Sequence, residues 1–129
     1  MAGRAAGESP ATRFSKSTKP YVRADKTEVA KDFAALLASG PAVPINYDAA
    51  GNVFASALPC NDDLVWTGTM ANGTAYTKQD CDGWISNMNS TGAAGSFSTA
   101  GEMTGKWTAC LVTVCATEAH LYCVEQPVP

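Results

Sequence analysis

Apolar and polar positions along the chain follow two different rhythms, and the change comes near residue 46. Residues 1–19 are small, polar and basic with no periodicity, which predicts a flexible or extended lead. Tyr21-Val22-Arg23-Ala24 reads as a short strand that Asp25-Lys26-Thr27 could turn back along Glu28-Val29-Ala30. A single helix over 27–38 is the alternative, because Val29, Phe33, Leu36 and Leu37 fall at helical spacing. Both readings make Asp32 to Ala38 helical and end the helix at Gly40 and Pro41. Val43-Pro44-Ile45-Asn46 is then extended, since proline forbids a continuing helix.

After residue 46 the pattern breaks into short apolar runs between turn residues. Residues 48–52 are turn material, and Asn72-Gly73 is a strong turn signal behind the strand Leu64-Val65-Trp66-Thr67. Residues 81–86, with Trp84 and Ile85, read as a buried strand. Residues 89–105 are rich in Gly, Ser, Thr and Ala, the composition of a long surface loop. Leu111-Val112-Thr113-Val114 and His120-Leu121-Tyr122-Cys123-Val124 read as two strands of a terminal hairpin. No internal repeat or heptad is present.

Composition narrows the class. The chain has 129 residues, of which 46% are hydrophobic and 16% charged, so one domain with a real core is expected. No run approaches the ~18 consecutive apolar residues of a membrane-spanning helix. The net charge of −3 is opposite in sign to that of a nucleic-acid binder, which argues against that partner. Charge is also unevenly placed, with a net +3 over residues 1–32 and −6 over the rest. A basic head could dock on the acidic body of a neighbouring copy, although a solvated lead-in explains the same pattern.

All 5 cysteines follow residue 59: Cys60, Cys81, Cys110, Cys115 and Cys123. No Cys-x-x-Cys pair occurs and His120 is the one histidine, which disfavours a structural zinc site. A disulfide framework fits better and places the protein in an oxidising location: secreted, periplasmic or cell-surface. The start, MAGRAAGESPATR, lacks the apolar segment of a signal peptide, so either a processed or excised piece or an export route without such a segment is expected, the first being favoured.

Trp66-Thr67-Gly68, Cys81-Asp82-Gly83-Trp84, Trp107, Cys115 and Leu121-Tyr122-Cys123-Val124-Glu125 form the most informative constellation. Their order resembles the second half of a C-type-lectin-like domain. More closely, the chain is similar to a family of bacterial surface and secreted proteins of that fold class, whose function is largely unassigned. That likeness extends back through Ser9-Pro10-Ala11-Thr12-Arg13-Phe14, Pro20-Tyr21-Val22-Arg23-Ala24-Asp25, Pro44-Ile45-Asn46 and Val65-Trp66-Thr67-Gly68-Thr69, and so covers most of residues 9–126.

The resemblance implies an α+β, disulfide-stabilised fold of short twisted antiparallel strands with one short helix and long loops. It implies a lead over 1–19, a domain over 20–126 and a tail over 127–129. By analogy Cys81 pairs with Cys115, Cys60 with Cys110 forms an additional pair, and Trp66, Trp84, Trp107 and Tyr122 are core anchors. Cys123 is left over, because nothing here corresponds to the family's first, cysteine-bearing helix. It is a buried free thiol, a bridge to another polypeptide, or a sign of different connectivity.

The chemistry expected is binding rather than catalysis. The calcium-dependent sugar motifs of C-type lectins, Glu-Pro-Asn or Gln-Pro-Asp and Trp-Asn-Asp, are absent. Asp62, Asp63, Asp80 and Asp82 could supply oxygen ligands to calcium, although such residues more often form turns. No nucleophile elbow, phosphate loop or paired catalytic carboxylate is recognisable. Asn72-Gly73-Thr74 and Asn89-Ser90-Thr91 are glycosylation sequons. The first functional expectation is a recognition or adhesion module whose loops over 86–106 contact a glycan or protein. The second is a homo-oligomeric structural subunit of an extracellular filament or surface layer.

Overall fold

The computed structural model describes residues 16–56, 58–85, 90–100 and 105–124. The elements are β1 (Tyr21–Val22), β2 (Glu28–Ala30), α1 (Phe33–Ser39), β3 (Leu64–Trp66), α2 (Cys81–Trp84), β4 (Thr91–Ser96) and β5 (Leu111–Val114). They form a small α+β structure with two antiparallel sheets, β1-β2 and β3-β4-β5, and two disulfides. Of the expected lead and tail, residues 1–15 and 127–129 lie outside the described residues. Ser17, within the lead, accepts a hydrogen bond from Phe33 N at 3.0 Å.

The N-terminal ambiguity resolves as a hairpin followed by a separate helix. Asp25 closes the turn by accepting from Thr27 N at 3.1 Å and Thr27 Oγ1 at 2.9 Å, while Lys26 takes φ 69°. Asp32 then caps α1, accepting from Ala35 N at 2.7 Å, and Gly40 ends it with φ 69°, donating to Leu36 O at 2.9 Å. The helix buries Phe33 and Leu36; Leu36 joins Val29, Ala30 and Trp107 in one apolar cluster. Trp107 thereby ties the N-terminal unit to the segment packed on the second sheet.

Three expectations are corrected. The described part of 89–105 is not a long surface loop, because Thr91–Ser96 form the central strand of the larger sheet and the most buried one. The small residues that resemble loop composition are demanded by close neighbours. A Cβ on Gly92 would lie 2.8 Å from Cys81 Sγ and 2.9 Å from Trp66 Cζ3, and one on Gly95 would strike the Trp107 carbonyl. Within the expected strand 81–86, the described residues 81–85 are not a strand either. Cys81, Asp82, Gly83 and Trp84 have φ of 53°, 57°, 70° and 66°, a single left-handed turn held by Trp84 N donating to Asp80 O at 2.8 Å.

The terminal hairpin is also absent. β5 pairs with β4, placing Thr91 opposite Val114 and Ala94 opposite Leu111. His120 instead bridges Val65 in parallel, donating to Leu64 O and accepting from Trp66 N, each at 2.9 Å. Alternation alone does not say which strand a segment joins; of the two edges of this sheet, it is β3 whose backbone groups His120 fills.

The crowding at β4 has a measurable consequence. Gly95→Ala is expected to lower unfolding free energy by at least about 2 kcal/mol in a urea titration, because rigid backbone must move. Gly51→Ala, at φ 88° with nothing within 4 Å, should cost only about 1 kcal/mol.

Candidate functional site

A groove of about 570 Å³ opens between the β1–β2 turn, the 44–54 loop and the segment 120–123. One wall is built around Arg23. Its Nη1 donates to Pro44 O at 3.1 Å and Asn46 Oδ1 at 3.3 Å, and its guanidinium lies 4.5 Å from the centre of the Tyr47 ring. On its other side Arg23 grips Asp25, with Nη2 to Oδ2 at 2.8 Å and Nε to Oδ1 at 3.1 Å. One side chain thus clamps hairpin to loop.

The loop supports itself from within. Asp48 accepts from Ala50 N and Asn52 N at 2.9 Å each and from Asn52 Nδ2 at 2.8 Å. Asn46 exchanges hydrogen bonds with the Phe54 backbone, Phe54 N to Asn46 O at 2.8 Å and Asn46 Nδ2 to Phe54 O at 3.0 Å. This brings Phe54, 40% exposed, to the groove.

An aromatic triad also lines the groove. His120 stands 5.3 Å from Phe97 and 5.6 Å from Phe54, and the two phenyl rings meet edge to face at 6.4 Å. Tyr122 is anchored below, its hydroxyl donating to Trp107 O at 2.9 Å and Ser96 O at 3.2 Å. Burial pushes the Tyr122 phenol well above its ordinary value, and the negative charge of Asp63 adds to that. On the turn, hydrogen bonding from Arg23 holds the Asp25 carboxyl down at about 2, with burial opposing and Thr27 assisting. The Asn52 side chain, followed by its backbone, lowers Asp48 in the same way.

Cys60 is bonded to Cys110 and Cys81 to Cys115, with Cα separations of 5.6 and 5.7 Å. Cys123 carries a free thiol, and it is exposed at the groove rather than buried. Trp107 is 1% exposed and lies 5.9 Å from Tyr122, whereas Trp66 and Trp84 are half-buried and meet edge to face at 6.2 Å.

The four candidate calcium aspartates do not converge. Asp63 is fully buried and accepts from the Ser96 and Ser98 hydroxyls, from Ser98 N at 3.3 Å and from Cys60 N at 2.8 Å. Asp62 accepts from Ser56 Oγ, Asp80 from Gly83 N at 3.3 Å, and Asp82 is exposed on α2. Among the described residues no group of three or more His, Cys, Asp or Glu could hold a metal ion.

The 86–106 segment does not supply the groove's aromatic surface except through Phe97. Its centre is the buried strand β4, and 86–89 and 101–104 lie outside the described residues. Of the sequons, Asn72 sits on an exposed turn and accepts from Thr74 N at 3.1 Å, while Asn89 lies outside the described residues. Arg23, Tyr47, Phe54 and Phe97 carry no signal of their own in the sequence, where His120 stands out as the one histidine, on a strand. The usable signal was an isolated aromatic in each turn-rich stretch. No family model, curated protein or solved structure matches the chain.

Substitution, calcium addition and titration test this arrangement. Asp63→Ala strands two hydroxyls and two N–H groups, so it should cost about 3 kcal/mol or more by denaturant titration; added calcium should leave the wild-type melting temperature unmoved. The Asp25 carboxyl, followed by NMR, should titrate at about 2, and Arg23→Ala should return it towards 3.8. Because its folded value is depressed, what Asp25 adds to stability is complete above 3.8 and is lost as pH falls through about 2.

Proposed function

We propose that this protein is an extracellular or cell-surface recognition module of the C-type-lectin-like class, binding a glycan without catalysis in the groove between Arg23 and His120. The observation that carries this reading is the groove itself. Its volume of about 570 Å³ lies inside the ~300–1,000 Å³ range of ligand sites. Its lining mixes aromatic rings with polar groups already fixed by their own hydrogen bonds, the mixture that the C–H faces and hydroxyls of a sugar require.

Support for binding over chemistry comes from His120, whose ring lies against Phe54 and Phe97. Support for an oxidising location comes from two disulfides, and no helix among the described residues is long and apolar enough to cross a membrane. The lectin-like class draws on the short antiparallel strands and on the disulfide that joins Cys81, beside Trp84, to Cys115.

A glycan array followed by calorimetry tests the reading. Phe54→Ala, at an exposed position, should weaken the best glycan at least about tenfold, or ~1.4 kcal/mol, with the melting curve nearly unchanged. An array without hits, a Phe54→Ala protein that binds as wild type does, or a groove that takes up only protein partners would sink the glycan assignment.

A further inference from the structure

The three-stranded sheet has two edges, and they are finished differently. Beside β3, His120 fills the backbone groups of Leu64 and Trp66. Beside β5 no further strand lies among the described residues. Cys115 N donates inward to Ser90 O at 3.1 Å, in register with Thr113 opposite Gly92 and Leu111 opposite Ala94. Antiparallel alternation then turns the N–H and C=O of Val112 and Val114 away from β4. One of these four groups, the Val114 carbonyl, accepts from Thr117 N at 3.0 Å and keeps a second lone pair. The side chains of Val112 and Val114 are 40% and 58% exposed.

Free edges in natural sheets are guarded against pairing by lysine, proline, a bulge or a covering segment. The hairpin β1–β2 follows that rule, carrying Lys26 and Glu28, whereas Leu111-Val112-Thr113-Val114 contains no charge and no proline. The strand is also held stiff. Cys110 and Cys115 flank it directly and are bonded to Cys60 and Cys81, so little conformational freedom remains to be lost on pairing.

We propose that β5 is where a second copy of this chain docks, strand to strand and antiparallel, about a two-fold axis at Thr113. The partner must be extended, uncharged and apolar at alternate positions, and β5 itself meets all three conditions. In this register Val112 of one copy stands opposite Val114 of the other, twice. The four exposed valines become one apolar strip on a continuous six-stranded sheet. A strand this short buries less than the ~1,200 Å² of stable complexes, so association is weak and concentration-dependent. The two-fold closes at two copies and does not propagate into a fibre.

Sedimentation velocity on the full chain, with Cys123→Ser removing the free thiol, tests this from about 10 μM to about 1 mM, the range in which weak interfaces populate dimers. Wild-type contacts should give a reversible monomer–dimer equilibrium. Val112→Lys with Val114→Lys sets like charges opposite one another twice and should weaken it at least about tenfold, as should the corresponding pair of glutamates. An equimolar mixture of the two doubly substituted proteins should restore the dimer. A chain that stays monomeric throughout, a dimer indifferent to both charge pairs, or a mixture that fails to re-form it overturns the proposal. Circular dichroism of each variant confirms that the sites, both exposed, leave the fold intact.

Discussion

The contact on which most else depends is between two stretches of backbone, Gly95 in the central strand and the carbonyl of Trp107. No side chain fits between them, so the strand must be thin at that point and the tryptophan peptide must lie across it. From this crossing Trp107 reaches the cluster of Val29, Ala30 and Leu36, which binds the N-terminal hairpin and helix to the rest. The same carbonyl accepts the Tyr122 hydroxyl. That bond positions the segment carrying His120 and Cys123, one whole wall of the groove. Core and site therefore share a single anchor.

How much of this could be read beforehand depended on whether the signal was local. The helix start at Asp32, its stop at Gly40, and the strands at 64–66 and 111–114 announce themselves by caps, breakers and β-branched residues. The central strand did not, because Gly92-Ala93-Ala94-Gly95 has loop composition for a reason that lies in other parts of the chain: Cys81, Trp66 and Trp107 leave no room. The turn at 81–84 was equally hidden, since a left-handed conformation at Cys81, Asp82 and Trp84 has no periodic signature. For the site, cysteines and tryptophans stood out by residue type. Arg23, Tyr47, Phe54, Phe97 and His120 come from separate stretches with no shared motif, and only folding brings them together.

The aspartates show how one residue type acquires different duties from burial alone. Asp63, enclosed with two serine hydroxyls, is a structural acceptor beside a disulfide. Asp25 and Asp48, on the surface, organise the two turns that frame the groove. The three-stranded sheet separates its two interaction edges in the same economical way. The groove borders the β3 side through His120, and among the described residues no strand covers the β5 side, so the pairing proposed there would leave a groove open on each copy.

Cys123 gives the groove a property that its shape does not. A thiol exposed on the wall makes the volume available to a ligand depend on the chemical history of one sulfur atom. A group attached at Sγ adds bulk to a residue that lines the groove, and removing it takes that bulk away without altering a hydrogen bond of the fold. Two preparations identical in sequence and folding can therefore present different grooves, and the mass of the intact chain tells them apart.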